Sequence, residues 1–147
     1  MDPDPDGSFV LYWMQASVRA EQNPALEYAA QRANEHGVPL VVAATVILDY
    51  PEASPRQFSF FLGGLGLALR ACEERGATAV VVTTHVDPAT SIASLCSGRP
   101  RPVEVVCDRA YLRHPRAWRT ELARAGGCRL TEVEGDVVVP VAVASDK

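Results

Sequence analysis

Short, nearly unbroken apolar runs alternate with amphipathic stretches along this chain. Ser8 to Met14 is the first run, and Val38 to Leu48, Ala77 to Thr84, Val103 to Cys107 and Cys128 to Val133 follow it. Runs of this length, without a strict apolar-polar alternation, are the pattern of parallel strands covered on both faces. Between them lie helical patterns. Asn23-Pro24 opens the first, with Asn as N-cap and Pro at the first helical position, where its missing N–H costs nothing. Leu26, Ala29, Ala30 and Ala33 then share a face, and Gly37 ends the helix. The loop Asp49 to Pro55 closes with a second helix start, Ser54-Pro55, followed by Phe58, Phe61, Leu62, Leu65 and Leu69 as one stripe at spacings of three and four. Pro88 to Cys96 is a short third helix. Pro115 to Ala125 is a fourth, with Trp118 and Leu122 on one face and Gly126-Gly127 as its stop.

Strands alternating with helices across short turns imply βαβ units. The expected fold class is therefore α/β: a Rossmann-like, doubly wound sheet of five parallel strands with helices on both faces. Residues 1–7 read as a disordered acidic, Pro-rich tail, residues 8–147 as one domain, residues 15–22 as a polar loop, and Val137 to Val143 as an extended apolar tail. Gly63, Gly64 and Gly66 interrupt the second helix, each costing about 0.8–1 kcal/mol relative to Ala. Close packing of that helix on the sheet is the expected reason, with ligand contact the alternative.

Composition narrows the classes. At 147 residues with 48% hydrophobic content, the chain can bury the core of a single domain. A formal net charge of -4 argues against binding DNA through its own surface field, since phosphate neutralisation needs concentrated basic side chains. Cys72, Cys96, Cys107 and Cys128 form no CxxC pair and read as small buried hydrophobes in a reducing compartment. The acidic, Pro-rich start is the opposite of a secretory signal, and no apolar run reaches the roughly 20 residues of a membrane span. The expectation is a soluble, cytoplasmic protein without a membrane partner.

In an open parallel sheet, ligands bind outside the carboxyl ends of the strands, where strand order reverses. That rule selects Trp13, Met14, Gln15 and Ala16 after the first strand, and Thr45, Asp49 and Tyr50 after the second. It selects Asp108, Arg109, Tyr111 and Arg113 after the fourth, and Glu134, Gly135 and Asp136 after the fifth. Aromatic faces with a few polar groups suit a flat conjugated ligand better than a triphosphate. Each has a structural alternative. Trp13 can be core, Asp108 and Arg109 can pair or cap the next helix, and Tyr50 can be loop packing. His36, His85 and His114 lack metal-ligand spacing. No metal site, phosphate loop, nucleophile elbow or catalytic group stands out, and Gly64-Leu65-Gly66 lies in a helical pattern, not after a strand.

Four blocks then carry a resemblance. Val10 to Leu26, with Tyr12-Trp13-Met14-Gln15, Arg19, Glu21, Asn23 and Ala25-Leu26, resembles the opening strand and turn of class II photolyases. Val38-Pro39-Leu40-Val41-Val42 is similar to that family's second strand, and Phe58 to Leu65 to its second helix. Asp108-Arg109-Ala110-Tyr111-Leu112-Arg113 with Trp118-Arg119 resembles its fourth-strand turn, and Glu134 to Lys147 the segment leading into its linker. Pro24, Thr83-Thr84-His85 and the three helix glycines depart from the pattern.

The resemblance implies the amino-terminal domain of a cyclobutane-pyrimidine-dimer DNA photolyase, an antenna side that is not catalytic alone. It implies a deazaflavin-type antenna pigment lined by Trp13, Met14, Gln15, Asp49, Asp108, Arg109 and Tyr111. It also implies, as partner, an absent carboxyl-terminal helical domain that binds FAD and, through that domain alone, damaged DNA, whose bases are flipped out for repair. Two other classes remain open. One is a nucleotide-binding module of universal-stress or electron-transfer-flavoprotein type, which calls for a glycine-rich phosphate loop near the last strands that Gly126-Gly127 is too sparse to supply; the other is a structural docking domain that has lost its pigment.

Overall fold

The apolar runs become five strands: β1 (Phe9–Met14), β2 (Leu40–Ile47), β3 (Thr78–Thr84), β4 (Pro102–Asp108) and β5 (Arg129–Val133). All four pairings are parallel, in the order β3-β2-β1-β4-β5. Helices α1 (Pro24–His36), α2 (Pro55–Glu74), α3 (Pro88–Ser97) and α4 (Arg113–Ala125) make the connections. The doubly wound α/β sheet expected from the alternation is the architecture found. The computed structural model describes residues 2–51, 53–85, 87–125 and 127–144. Met1 of the expected tail, Glu52 of the loop, Gly126 of the helix stop and Ser145 to Lys147 of the expected linker segment lie outside the described residues.

Local chemistry sets the helix ends. The Asn23 side chain accepts the Leu26 N–H ahead of Pro24, and Gly37 takes the left-handed conformation (φ 64°) that closes α1. Ser54 and Gln57 form a reciprocal capping box at α2. Along β1, Val10, Tyr12 and Met14 face a core shared with α1 and α2, whereas Leu11 and Trp13 face one shared with α3 and α4. Both faces of the central strand are thus sealed, the physical reason its sequence does not alternate.

A charge sits inside the first core. Glu104 of β4 is fully buried, with Arg32 Nε at 2.6 Å from α1 and Arg129 Nε at 3.3 Å from the neighbouring position on β5. The carboxylate and guanidinium groups compensate one another there, as a buried charge requires.

Three expectations need correction. Gly63, Gly64 and Gly66 do not pack closely on the sheet: a Cβ at any of them would meet nothing within 4 Å. Leu65, Ala68, Leu69 and Cys72 form the buried face of α2, while the glycines and Leu62 lie on its exposed side. Residues Asp4 to Ser8 are not a free tail. The Asp4 N–H donates to Val103 O, Ser8 N–H to Arg101 O, and Asp4 pairs with Arg101 at 3.1 Å. The apolar segment after Asp136 is not extended throughout; it ends in a helical turn, α5 (Val141–Ala144), and leaves Val138, Val139 and Val143 exposed.

Candidate functional site

The order of the strands decides where a site can form. From β1 the chain winds outward through β2 to β3, then α3 carries it back so that β4 lands on the other side of β1. The loops leaving the carboxyl ends of β1 and β4 therefore diverge and open a crevice. Asp108, the last residue of β4, shapes it. Its Oδ2 accepts the backbone N–H groups of Gln15 (3.1 Å), Ala16 (2.9 Å) and Ser17 (3.1 Å) in the loop after β1. Its Oδ1 accepts the Tyr12 hydroxyl at 2.8 Å. Asn23, buried at the start of α1, donates from its amide to Tyr12 Oη, Ser17 O and Arg19 O. Burial, and next the Asp108 carboxylate, push the Tyr12 phenol far above its usual range, so it remains a donor at any pH the fold survives.

This braced loop forms one wall of a cleft of about 850 Å³ at the carboxyl edge of the sheet. Its floor is the end of β1 and β2, with Met14 and Thr45. Its opposite walls are the first turns of α2, with Phe58 and Phe61, the β4–α4 connection, with Tyr111, and α4 itself, with Trp118. Polar groups are few. Gln15 lines the cleft, and both ends of its carboxamide are sealed from water without a hydrogen-bond partner among the described residues. Asp136 lines it too, accepting from Ser17 Oγ at 3.0 Å. The Tyr111 hydroxyl donates to Glu134, and that bond raises the phenol above its ordinary pKa. An aromatic-walled space with an unmatched amide and a small polar rim can sandwich a flat heterocycle and hydrogen-bond its edge.

Of the sequence-selected residues, Met14, Gln15, Ala16, Thr45, Tyr50, Tyr111 and Asp136 come together on the cleft. Trp13 does not. It is fully buried in the core against α3 and α4, its Nε1–H donating at 3.3 Å to Oγ1 of Thr45, which lines the cleft in its place. Asp49 is exposed and pairs with His85 Nδ1 at 2.6 Å, tying the ends of β2 and β3 outside the cleft. Asp108 acts through the loop it grips. Arg109 continues the sheet, its N–H donating to Val133 O at 2.8 Å, and it is not among the cleft-lining residues.

The aromatic walls were missed as site residues. Phe58 and Phe61 belong to an apolar stripe that reads as core. A helix that follows a strand begins beyond that strand's carboxyl end, so its first two turns overhang the crevice. Two phenylalanines there, against Leu, Ala and Cys further along, are the signal that distinguishes wall from core.

Comparison with known proteins places this architecture. The model of the DNA photolyase family matches residues 10–147. The chain is 41% identical over 146 residues, 99% of its length, to the deoxyribodipyrimidine photo-lyase of Methanothermobacter thermautotrophicus, and spans 32% of that protein. Among solved structures, a cryptochrome of Synechocystis superposes with a TM-score of 0.75 at 12% identity, covering 86% of this chain and 27% of that one. The universal stress protein of Archaeoglobus fulgidus in complex with dAMP gives 0.59 at 15% identity, covering 85% and 96%. At these identities both likenesses speak to the fold alone.

Proposed function

Because the chain belongs to the DNA photolyase family, we propose that it is the antenna side of a class II cyclobutane-pyrimidine-dimer photolyase, and that the aromatic cleft holds a deazaflavin-type pigment. The single observation behind this reading is the cleft itself: Phe58, Phe61, Tyr111 and Trp118 around a space of about 850 Å³, with the Gln15 carboxamide unpaired at its wall. The class II assignment rests on Tyr12-Trp13-Met14-Gln15 and the Asn23 that follows. These residues are also the ones that build the loop under the cleft, through Tyr12, Asp108 and Asn23.

A deazaflavin so held would absorb light and pass excitation energy onward. The chain's own part is to bind and orient. The aromatic side chains stack the ring and keep water from it, Gln15 meets the donor and acceptor groups of its edge, and Asp108 keeps the loop carrying Gln15 in place. The chain spans about a third of its photo-lyase relative. The remaining function, FAD binding and light-driven cleavage of the dimer's carbon–carbon bonds in DNA, belongs on this reading to a carboxyl-terminal helical partner domain.

Titration with 5-deazariboflavin tests the proposal. Saturable quenching or a spectral shift in the micromolar range, weakened at least tenfold by Phe61→Ala, is the expected result. No spectral change at high ligand concentration overturns it, and tighter binding of AMP than of the deazaflavin would favour a nucleotide-binding module instead.

A further inference from the structure

A second, shallower cavity of about 350 Å³ adjoins the cleft. It is lined by Tyr111, Arg113, Arg116, Ala117 and Thr120, so Tyr111 belongs to both. Arg113, Arg116 and Thr120 stand at spacings of three and four along the first two turns of α4, which puts them on one face. Both arginines are exposed, and neither guanidinium has a hydrogen-bond or ion-pair partner among the described residues. Two exposed arginines side by side in a concave surface make a positive patch whose planar donors suit an anion.

Resting on the cleft reading above, we infer that the cleft's ligand carries an anionic arm, a phosphate or carboxylate, that passes Tyr111 and ends between Arg113 and Arg116. The charges of the cleft itself require this direction. Asp136 lines it and Glu134 sits at its rim on the Tyr111 hydroxyl, so an anion held inside would face two carboxylates. Past the Tyr111 ring the sign reverses. The arginines supply planar donors that match phosphate and carboxylate oxygens; the Thr120 hydroxyl on the same face donates to Arg116 O at 3.1 Å and leaves the anion to them. The ligand class is thus a flat heterocycle with an acidic side chain, and the second cavity selects it over the neutral ring system.

The test compares 5-deazariboflavin with its 5′-phosphate on the same protein. The phosphate should bind about tenfold more tightly at low salt, an advantage that shrinks as ionic strength rises. Arg113→Gln/Arg116→Gln should abolish that advantage while leaving affinity for 5-deazariboflavin unchanged, and circular dichroism of the variant monitors folding independently. Equal affinity for the two ligands overturns the anionic arm and leaves the cleft reading standing. Binding of neither overturns both. A phosphate advantage that survives the double substitution places the anion elsewhere and also overturns the assignment.

Discussion

The Tyr12 phenol and the Asp108 carboxylate, 96 positions apart in the chain, are joined by a 2.8 Å hydrogen bond at the carboxyl edge of the sheet. With the three backbone N–H groups that Asp108 also accepts, this bond fixes the loop after β1 against the end of β4. The crevice created by strand order is thereby held open in one shape.

The loop should fail if its anchor is removed. Asp108→Ala leaves three backbone donors and the Tyr12 hydroxyl without an acceptor, and the expected loss is about 3 kcal/mol of stability. Asp108→Asn keeps one carbonyl oxygen for the N–H groups and should lose less. Urea unfolding measures both; an Ala variant within about 0.5 kcal/mol of the parent chain would show that water replaces the carboxylate freely.

The buried Glu104 predicts an asymmetric mutational cycle. Arg32→Met removes the 2.6 Å partner and leaves a carboxylate in the core with the more distant Arg129, a change expected to cost about 3 kcal/mol. The double change Glu104→Leu/Arg32→Met removes the charge along with the partner and should recover most of that stability. Equal losses in the single and double variants would mean that packing of the Arg32 stem, not charge compensation, is what counts.

Glycines on the outer face of α2 should be replaceable to advantage. At Gly63 and Gly64 an added methyl meets no atom within 4 Å beyond its own stretch of helix among the described residues, and the helical backbone already has the geometry Ala prefers. Each Gly→Ala change is expected to stabilise by about 0.5–1 kcal/mol, read as a rise in Tm. A fall in Tm at both positions would contradict the open surroundings found there.

Much of this architecture was legible in the chain. Strand type followed from unbroken apolar runs, and the starts of α1 and α2 from Asn23-Pro24 and Ser54-Pro55, because capping is local chemistry that tertiary contacts seldom override. Met14, Gln15 and Tyr111 were found by a topological rule. Trp13 and Asp49 were misplaced by the same rule, since being near a strand's carboxyl end does not say which face a side chain takes or whether a neighbour such as His85 captures it. The role of Asp108 was out of reach for a different reason: its partners are backbone N–H groups of a loop more than 90 residues away, and backbone donors leave no mark in a sequence. Even the helix glycines misled, because a costly residue in a helix invites a packing reason, and only coordinates show that α2 turns them to the outside.

Cysteine reactivity should single out one thiol. Cys128 has its pKa lowered chiefly by the neighbouring Cys96 thiol, whereas burial raises Cys72 and Cys107, and Cys96 is raised by the same neighbour and by burial. As pH rises toward the thiol range, Cys128 should therefore form thiolate first, and peptide mapping after brief iodoacetamide treatment should find it modified ahead of the other three. In Cys96→Ala the neighbouring thiol is gone, so the pH midpoint for alkylation of Cys128 should move upward. An unchanged midpoint would mean that the thiol–thiol contact has no effect on ionisation.

Gln15 sets stability against binding. Its carboxamide lies sealed from water with neither end paired among the described residues, a state that costs the folded protein about 1–3 kcal/mol relative to a satisfied group. Leucine is one atom shorter and has no polar atoms, so Gln15→Leu should raise stability, by about 1 kcal/mol once imperfect packing is allowed for. The same change removes the groups that would meet a heterocycle's edge, and 5-deazariboflavin affinity should fall about tenfold, the effect of losing a hydrogen bond or two in a dry site. The two measurements move in opposite directions only if the amide is kept for a ligand. A Leu variant that is less stable, with affinity unaltered, would make Gln15 a packing residue and take a directional contact from the cleft.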